Sequence, residues 1–344
     1  MTKNHFVPQR GNLEYSPEEL LGEHAYAAPQ IIAGMRCHGG FDVEGRYVSP
    51  RTLGRAEACA HWGEALRDRG GEPFPADASL LVGVRFPTPA QQRVLLRHGV
   101  TRSFWNTLTV IGKIEARGRV LAELRFPEFQ EIAAEDISGW ALGHLNRGML
   151  RAHGLDEGGE PERGIGGHDA MWFALRDLAF GPGAFPDVEP PARIGRDTQG
   201  RELPDLPAAH EQAILFLMNL LIIEFRAELG FAFSEEVLRD PALFGERRPE
   251  AEEAARVVGR IRQDEEIHTA SLCLYLGELR ACTLRTAKGE RRGSELLDPI
   301  WDRMLHWATV EQPRIAAAEE RERLSRLVLA HPDGERILAE ALAH

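Results

Sequence analysis

The chain has 344 residues, of which 43% are hydrophobic and 27% are charged, a composition that excludes a mostly disordered protein. Acidic residues outnumber basic ones by 53 to 41, which gives a formal net charge of −12. This acidity disfavours binding to nucleic acids or to anionic membranes, because both present negative phosphates.

The ends and the cysteines limit where the protein works. The N-terminal residues lack the apolar segment of a secretory signal, and the longest apolar run, residues 213–223, is shorter than the roughly 20 residues of a membrane span. We therefore expect a cytoplasmic protein without membrane contact. The four cysteines form no Cys-x-x-Cys motif, so neither a disulfide framework nor a thiolate zinc site is indicated.

Residues 1–87 are rich in glycine and proline and show weak periodicity. They predict an irregular N-terminal arm that contains a hairpin at residues 41–48. Short helices are expected in this arm after Ser16 and from Leu53 to Arg67.

Helical periodicity dominates after Thr88. A hydroxyl N-cap followed by Pro89 predicts the start of a helix that runs with interruptions to about Arg125. The proline-rich segment 181–207 is typical of a long surface crossover. Further helices are predicted from Pro127 to His153, His168 to Phe180, Ala208 to Phe233, Pro249 to Thr283, and Ser294 to Ala343 with an interruption at Pro313.

Two helices, a long crossover and two more helices indicate a mainly α protein built on a four-helix bundle. We expect the irregular arm at residues 1–87 and the bundle, with extra helices, at residues 88–312. Residues 313–344 are expected to form exposed C-terminal helices that pack on the bundle.

The helix predicted from Pro249 carries two polar residues in an apolar stripe. Glu265 and His268 lie one turn apart on the same face as its core residues. An unpaired ionised glutamate in a core costs several kcal/mol, so a compensating partner is required. The stripe is formed by Val258, Ile261, Glu265, His268, Leu272, Tyr275 and Leu279.

The helix from Ala208 offers a second glutamate. Its segment 213–223 is apolar nearly all round, which predicts a central, buried helix, and Glu224 directly follows this run. In an antiparallel pair Glu224 and Glu265 can lie at the same depth.

These residues resemble a known family. A glutamate on one buried helix and Glu-x-x-His on the next are similar to the second half of ferritin-like di-iron carboxylate proteins, in which Glu and Glu-x-x-His occur twice in a four-helix bundle. The resemblance covers residues 129–284. Glu224 matches the lone glutamate, and Glu265 and His268 match the Glu-x-x-His.

The first half departs from the family pattern, because neither of its helices contains Glu-x-x-His. The resemblance implies Glu135 as the lone glutamate and His168 as the histidine, with His144 or Asp169 completing the set. The expected metal ligands are therefore Glu135, His144, His168, Glu224, Glu265 and His268. Whether one or two ions bind stays open. A different scaffold, the haem-oxygenase-like di-iron fold, also stays open, because proteins with that fold resemble this chain through Asp264-x-x-x-His268.

The resemblance implies an O₂-dependent oxidase or oxygenase that acts on a small organic substrate. Its cofactor would be two non-haem iron ions, and manganese could replace the iron. Hydroxylation, N-oxidation and oxidative cleavage are all open, with electrons from a reductase or ferredoxin. We expect a monomer or homodimer. The alternatives are a non-catalytic helical protein with a buried Glu/His network, and an iron-storage protein, which would need a large closed shell.

Overall fold

A computed structural model describes residues 15–22, 26–49, 52–83, 86–192, 194–198 and 200–344. The protein is mostly helical, which confirms the mainly α fold. The helices are α1 (Pro17–Leu21), α2 (Thr52–Asp68), α3 (Pro89–Arg97), α4 (Arg102–Gly118), α5 (Met149–Gly158), α6 (His168–Phe180), α7 (Ala208–Arg239), α8 (Arg248–Ala281), α9 (Gly293–His306), α10 (Gln312–Leu329) and α11 (Gly334–Leu342). The strands are β1 (Ala28–Ile32), β2 (Met35–Phe41), β3 (Tyr47–Val48), β4 (Thr283–Thr286) and β5 (Gly289–Arg292).

The N-terminal arm contains a small antiparallel sheet in which β2 pairs with both β1 and β3. The turn between β2 and β3 confirms the hairpin predicted at residues 41–48, whereas β1 was not predicted. The start of α3 is also confirmed: the Thr88 hydroxyl accepts a hydrogen bond from the Gln91 N–H, and Pro89 is the first helical residue.

The helix predicted from Pro127 to His153 is wrong. This segment contains two 3₁₀ turns, Phe129–Glu131 and Leu142–His144, before α5 begins. Between these turns its backbone bonds to the β4–β5 hairpin, since the Ala134 N–H donates to the Thr283 carbonyl at 2.8 Å. Gly148, at φ 129°, then sets the entry to α5.

The long helices α7 and α8 form an antiparallel pair that runs through the whole bundle. With 32 and 34 residues, each is roughly 50 Å long at a rise of 1.5 Å per residue. Arg239 of α7 pairs with Glu252 of α8 at 2.5 Å near one end. Shorter helices complete the bundle: α4 and α6 pack beside one half of the pair, and α2 and α9 beside the other half of α8.

This arrangement creates two apolar cores. One contains Phe104 of α4 and Trp172 of α6. The other contains Trp62 of α2, Leu272 of α8 and Trp301 of α9. The C-terminal helices α10 and α11 pack on α3 through a smaller cluster. The polar residues described below lie between the two large cores, near the middle of α7 and α8.

The crossover between α6 and α7 contains no helix or strand at residues 181–192, 194–198 and 200–207, as its prolines predict. Within the described parts of the chain, no helix is both long and apolar enough to span a bilayer.

Candidate metal centre

Seven side chains of types that can bind a metal converge where the two cores meet. All seven are buried, and they come from the five helices α4 to α8. Such a concentration of carboxylates and imidazoles in an interior requires compensation, because buried charge is costly. The set is Glu115 of α4, His153 and Glu157 of α5, His168 of α6, Glu224 of α7, and Glu265 and His268 of α8.

The seven side chains divide into two overlapping half-sites. In the first half-site, ligand atoms of Glu115, Glu157, His168 and Glu265 all lie within 4.8 Å of one another. The second half-site combines two groups of three residues that are equally close and that share His268. One group is His153, Glu157 and His268, and the other is Glu224, Glu265 and His268. Glu157 and Glu265 belong to both half-sites.

The shared glutamates face an imidazole on each side. The two carboxylate oxygens of Glu265 divide between the half-sites: Oε1 lies 3.1 Å from His168 Nδ1, and Oε2 lies 3.1 Å from His268 Nδ1. Glu157 Oε1 lies 3.3 Å from His268 Nδ1 and 3.7 Å from His168 Nδ1. Both carboxylates would therefore be shared by any ions that the two half-sites held.

Three ligand atoms of the first half-site lack a hydrogen bond among the described residues: Glu115 Oε2, His168 Nδ1 and Glu265 Oε1. The imidazole nitrogen nevertheless lies within 3.5 Å of both oxygens. Buried polar atoms are normally satisfied, and a bound cation would satisfy these three neighbouring atoms. Oxygen and imidazole donors of this kind suit divalent iron or manganese.

An outer aspartate holds each of two histidines by its second nitrogen. His168 Nε2 lies 3.3 Å from Asp264 Oδ2, and His268 Nε2 lies 3.1 Å from Asp156 Oδ2. Each aspartate directly precedes a shared glutamate in the sequence. The contacts are crossed: Asp264 of α8 contacts His168 of α6, and Asp156 of α5 contacts His268 of α8. Metal-binding histidines commonly donate their second N–H to a carboxylate, which fixes the ring and its tautomer.

The N-terminal arm closes this outer layer. Arg55 donates to Asp156 at 2.7 Å, and the Ser49 hydroxyl donates to Asp264. His38 Nε2 lies 3.2 Å from Asp264 Oδ2 and 3.8 Å from Asp156 Oδ1, so it reaches both outer aspartates. Its position is set by backbone bonding, since the His38 N–H donates to the Gly166 carbonyl just before α6.

Glycines allow the first half-site to form on short helices. A Cβ at Gly118 of α4 would lie 2.6 Å from the Glu157 side chain. A Cβ at Gly167 would lie 2.3 Å from the Gly159 nitrogen, where the loop after α5 folds back. This tight return brings His168, the first residue of α6, beside Glu157.

Burial raises the pKa of two of the glutamates, whereas the contacting histidines hold the pKa of the other two, Glu157 and Glu265, below its ordinary value. Burial and the neighbouring Glu157 raise the pKa of Glu115 well above its ordinary value. Burial also raises the pKa of Glu224 to about 7. Burial by itself would lower the pKa of His168, but the surrounding carboxylates raise it well above its ordinary value.

The structure brings together four of the six predicted ligands: His168, Glu224, Glu265 and His268. Glu135 instead accepts the Thr283 N–H at 3.0 Å, at the β4–β5 hairpin.

His144 is likewise occupied elsewhere. Its Nε2 lies 3.0 Å from the Ser138 carbonyl, and its ring lies 5.4 Å from that of Trp62. Neither His144 nor Asp169 belongs to the metal-capable groups found among the described residues. The prediction of Glu135 and His144 as ligands depended on a helix from Pro127 to His153 that does not form, and the structure places both residues outside the cluster.

Glu115, His153 and Glu157 were not among the predicted ligands. Glu115 lies on an apolar stripe of α4, which was a usable signal. The Asp-Glu pair at Asp156-Glu157 repeats the pair at Asp264-Glu265, and this repetition could have identified α5 as the first-half counterpart of α8.

No protein-family model, curated protein or solved structure matches this chain. The candidate centre is therefore defined by its own geometry: two half-sites joined by two shared glutamates, with crossed outer aspartates.

Proposed function

We propose that the chain is a metal-dependent oxidase or oxygenase that binds two divalent ions, iron or manganese, and uses O₂ to oxidise a small organic substrate. The observation that carries this proposal is the sharing of Glu157 and Glu265 between two half-sites. A single ion would need only one of these donor groups. Two overlapping groups with common carboxylates favour a bridged pair of ions.

Charge balance supports two ions. The cluster contains four glutamates, and their full ionisation would leave four negative charges in a buried site. Two divalent cations neutralise them while the imidazoles stay neutral and donate lone pairs. Of the two outer aspartates, Asp156 pairs with Arg55, and Asp264 contacts the imidazoles of His38 and His168. A purely structural Glu/His network would leave the unsatisfied atoms of the first half-site without partners.

Two ferrous ions would supply the electrons and the open coordination positions that O₂ reduction requires. The protein contributes position and environment: Asp156 and Asp264 orient two imidazoles, and the apolar cores on either side exclude water from the site. A reductase or ferredoxin, or the substrate itself, would return electrons between turnovers.

Small molecules would reach the ions from the glutamate side. The side chains of Glu115, Glu157, Glu224 and Glu265 are 5% to 7% exposed. In contrast, the side chains of His168 and His268 and of both outer aspartates are 0% exposed. The histidine–aspartate contacts are thus the most deeply buried part of the cluster, and we expect O₂ and substrate to approach from the glutamates.

The test is metal loading followed by exposure to O₂. After anaerobic incubation of metal-free protein with ferrous ion, we expect two irons per chain and an optical change with O₂ consumption when air is admitted. Glu265→Ala should lose the iron. Glu135→Ala is the matched control, because it removes a half-buried glutamate outside the cluster and should keep both ions. A wild-type chain that retains no iron or manganese contradicts the proposal.

A further inference from the structure

His38 of the N-terminal arm lies between the two outer aspartates, and the role inferred for it deepens the proposed function and rests on it. Its Nε2 lies 3.2 Å from Asp264 Oδ2 and 3.8 Å from Asp156 Oδ1. The first distance allows a hydrogen bond, whereas the second is too long for one. The side chain of His38 is 3% exposed and those of both aspartates are 0% exposed, so these polar contacts lie in the interior, where they are stronger than at the surface.

The two aspartates are not equally satisfied. Asp264 Oδ2 faces both His38 Nε2 and His168 Nε2, the latter at 3.3 Å. Asp156 Oδ2 accepts a hydrogen bond from Arg55 and faces His268 Nε2, but Asp156 Oδ1 has no hydrogen-bond partner among the described residues. The Asp156 oxygen that faces His38 is therefore the one able to accept a further hydrogen bond.

His38 cannot serve both aspartates at once. A carboxylate oxygen accepts, so His38 Nε2 carries the hydrogen, and an imidazole nitrogen carries only one. The backbone of His38 is held on both sides, because its N–H donates to the Gly166 carbonyl and its carbonyl accepts from Arg260 of α8. A rotation of the ring, without movement of β2, would therefore transfer the N–H from Asp264 to Asp156.

The position of this N–H affects both metal-binding histidines. A carboxylate that accepts from a metal-binding imidazole makes that imidazole a stronger donor to the ion. A hydrogen bond from His38 compensates part of the negative charge of the aspartate that receives it and so weakens this effect. Asp264 acts on His168 in the first half-site, and Asp156 acts on His268 in the second.

We propose that His38 is a positioning residue that couples the two half-sites, because its single N–H can compensate only one outer aspartate at a time. An ion withdraws electron density from its imidazole, whose outer N–H then needs a more negative acceptor. Binding of the first ion therefore shifts the His38 N–H to the aspartate of the empty half-site. This shift weakens binding of the second ion.

The experiment compares the two stepwise affinities for ferrous ion, measured by calorimetric titration of metal-free protein under nitrogen. In the wild type, we expect the first ion to bind more tightly than the second. In His38→Ala, the ratio of the first affinity to the second should be several-fold smaller, because the outer aspartates no longer compete for one N–H. A residue that only supported the fold would weaken both ions and leave this ratio unchanged.

A second variant tests the competition without removing the polar contact. His38→Gln keeps a donor at this position, and its amide has two hydrogens, so it can serve both aspartates together and should also reduce the ratio. If His38→Ala does not fold, as judged by circular dichroism, His38→Gln alone decides the result. His210→Gln is the matched control and should keep the wild-type ratio, because this buried histidine of α7 contacts the Glu128 carbonyl at 3.2 Å.

An unchanged ratio in the folded His38 variants would overturn the coupling while leaving the two-ion site in place. Wild-type protein that binds one ion or none would instead reject the proposed function, and this inference with it.

Discussion

The two halves of the candidate metal centre assemble similar side chains from different local structures. In the second half, Glu224, Glu265 and His268 lie in the interiors of two long helices, where helical spacing alone puts them on the inner face. In the first half, Glu115 and Glu157 lie near the ends of short helices, and His168 begins another. Similar sets of glutamates and histidines can therefore be brought together from residues with different sequence spacings.

The position of the histidine relative to the Asp-Glu pair also differs between the two halves. In α8 the histidine follows the Asp-Glu pair within one helical turn. In the first half, α5 ends at Gly158 directly after its Asp-Glu pair, and the histidine is supplied by the start of α6 after a loop. Despite these different chain connections, the outer contacts are alike: His168 contacts Asp264, and His268 contacts Asp156.

If the halves are equivalent in function, removing either shared glutamate should have the largest effect. Glu157→Ala and Glu265→Ala should each abolish binding of both ions, because each carboxylate contacts both half-sites. Metal content after ferrous reconstitution, with circular dichroism to verify folding, checks this expectation. A Glu157→Ala protein with both irons would show that the first half is not organised like the second.

The histidines should separate the two halves. His168→Ala should lose the ion of the first half-site and keep the other, and His268→Ala should do the reverse. Mass spectrometry of the intact metal-loaded protein would count the ions, and crystals of each variant would locate the ion that stays. If both variants lose both ions, the half-sites do not bind independently.

Much of the second half could be predicted from sequence, and the reason is physical. A glutamate and a histidine one turn apart in an apolar stripe must face the core together, whatever the remaining fold does. The first half depended on long-range contacts instead. The segment before α5 bonds to the β4–β5 hairpin, and the contact that places His168 needs the reversal at Gly167. No local periodicity encodes either feature, so Glu135 and His144 were assigned to a helix that is absent from the described segment 127–148.

The outer aspartates should have smaller, crossed effects. Asp156→Asn should weaken the ion held by His268, and Asp264→Asn the ion held by His168, each by about 10- to 100-fold in affinity. Titration with ferrous ion under nitrogen measures both affinities. Equal weakening of both ions in each variant would contradict the crossed arrangement.

A buried glutamate outside the centre provides the smallest expected effect on metal. Glu278 of α8 accepts the Leu142 N–H at 2.7 Å and an Arg69 N–H at 3.1 Å, and burial raises its pKa to about 7. Because its pKa is higher in the folded chain than in the unfolded chain, its contribution to the free energy of unfolding is full at low pH and is lost as pH rises through 7.

Glu278→Gln should therefore bind two ions normally but change the pH dependence of stability. Between pH 5 and pH 8, the wild-type chain should lose up to about 3 kcal/mol of unfolding free energy relative to the variant. Urea unfolding of the two metal-free proteins at both pH values measures this difference. A difference in unfolding free energy that does not change with pH would mean that Glu278 is ionised throughout this range. Loss of metal in the variant would mean that Glu278 belongs to the metal site.

X-ray absorption spectroscopy of the iron-loaded protein would show whether the shared carboxylates hold two ions side by side. We expect scattering from a second iron at roughly 3.5–4 Å, the separation typical of bridged two-metal sites, and oxygen and nitrogen neighbours without sulfur. The same signal should disappear in Glu157→Ala. Bound iron without a neighbouring iron in the fully loaded wild-type protein would contradict the account.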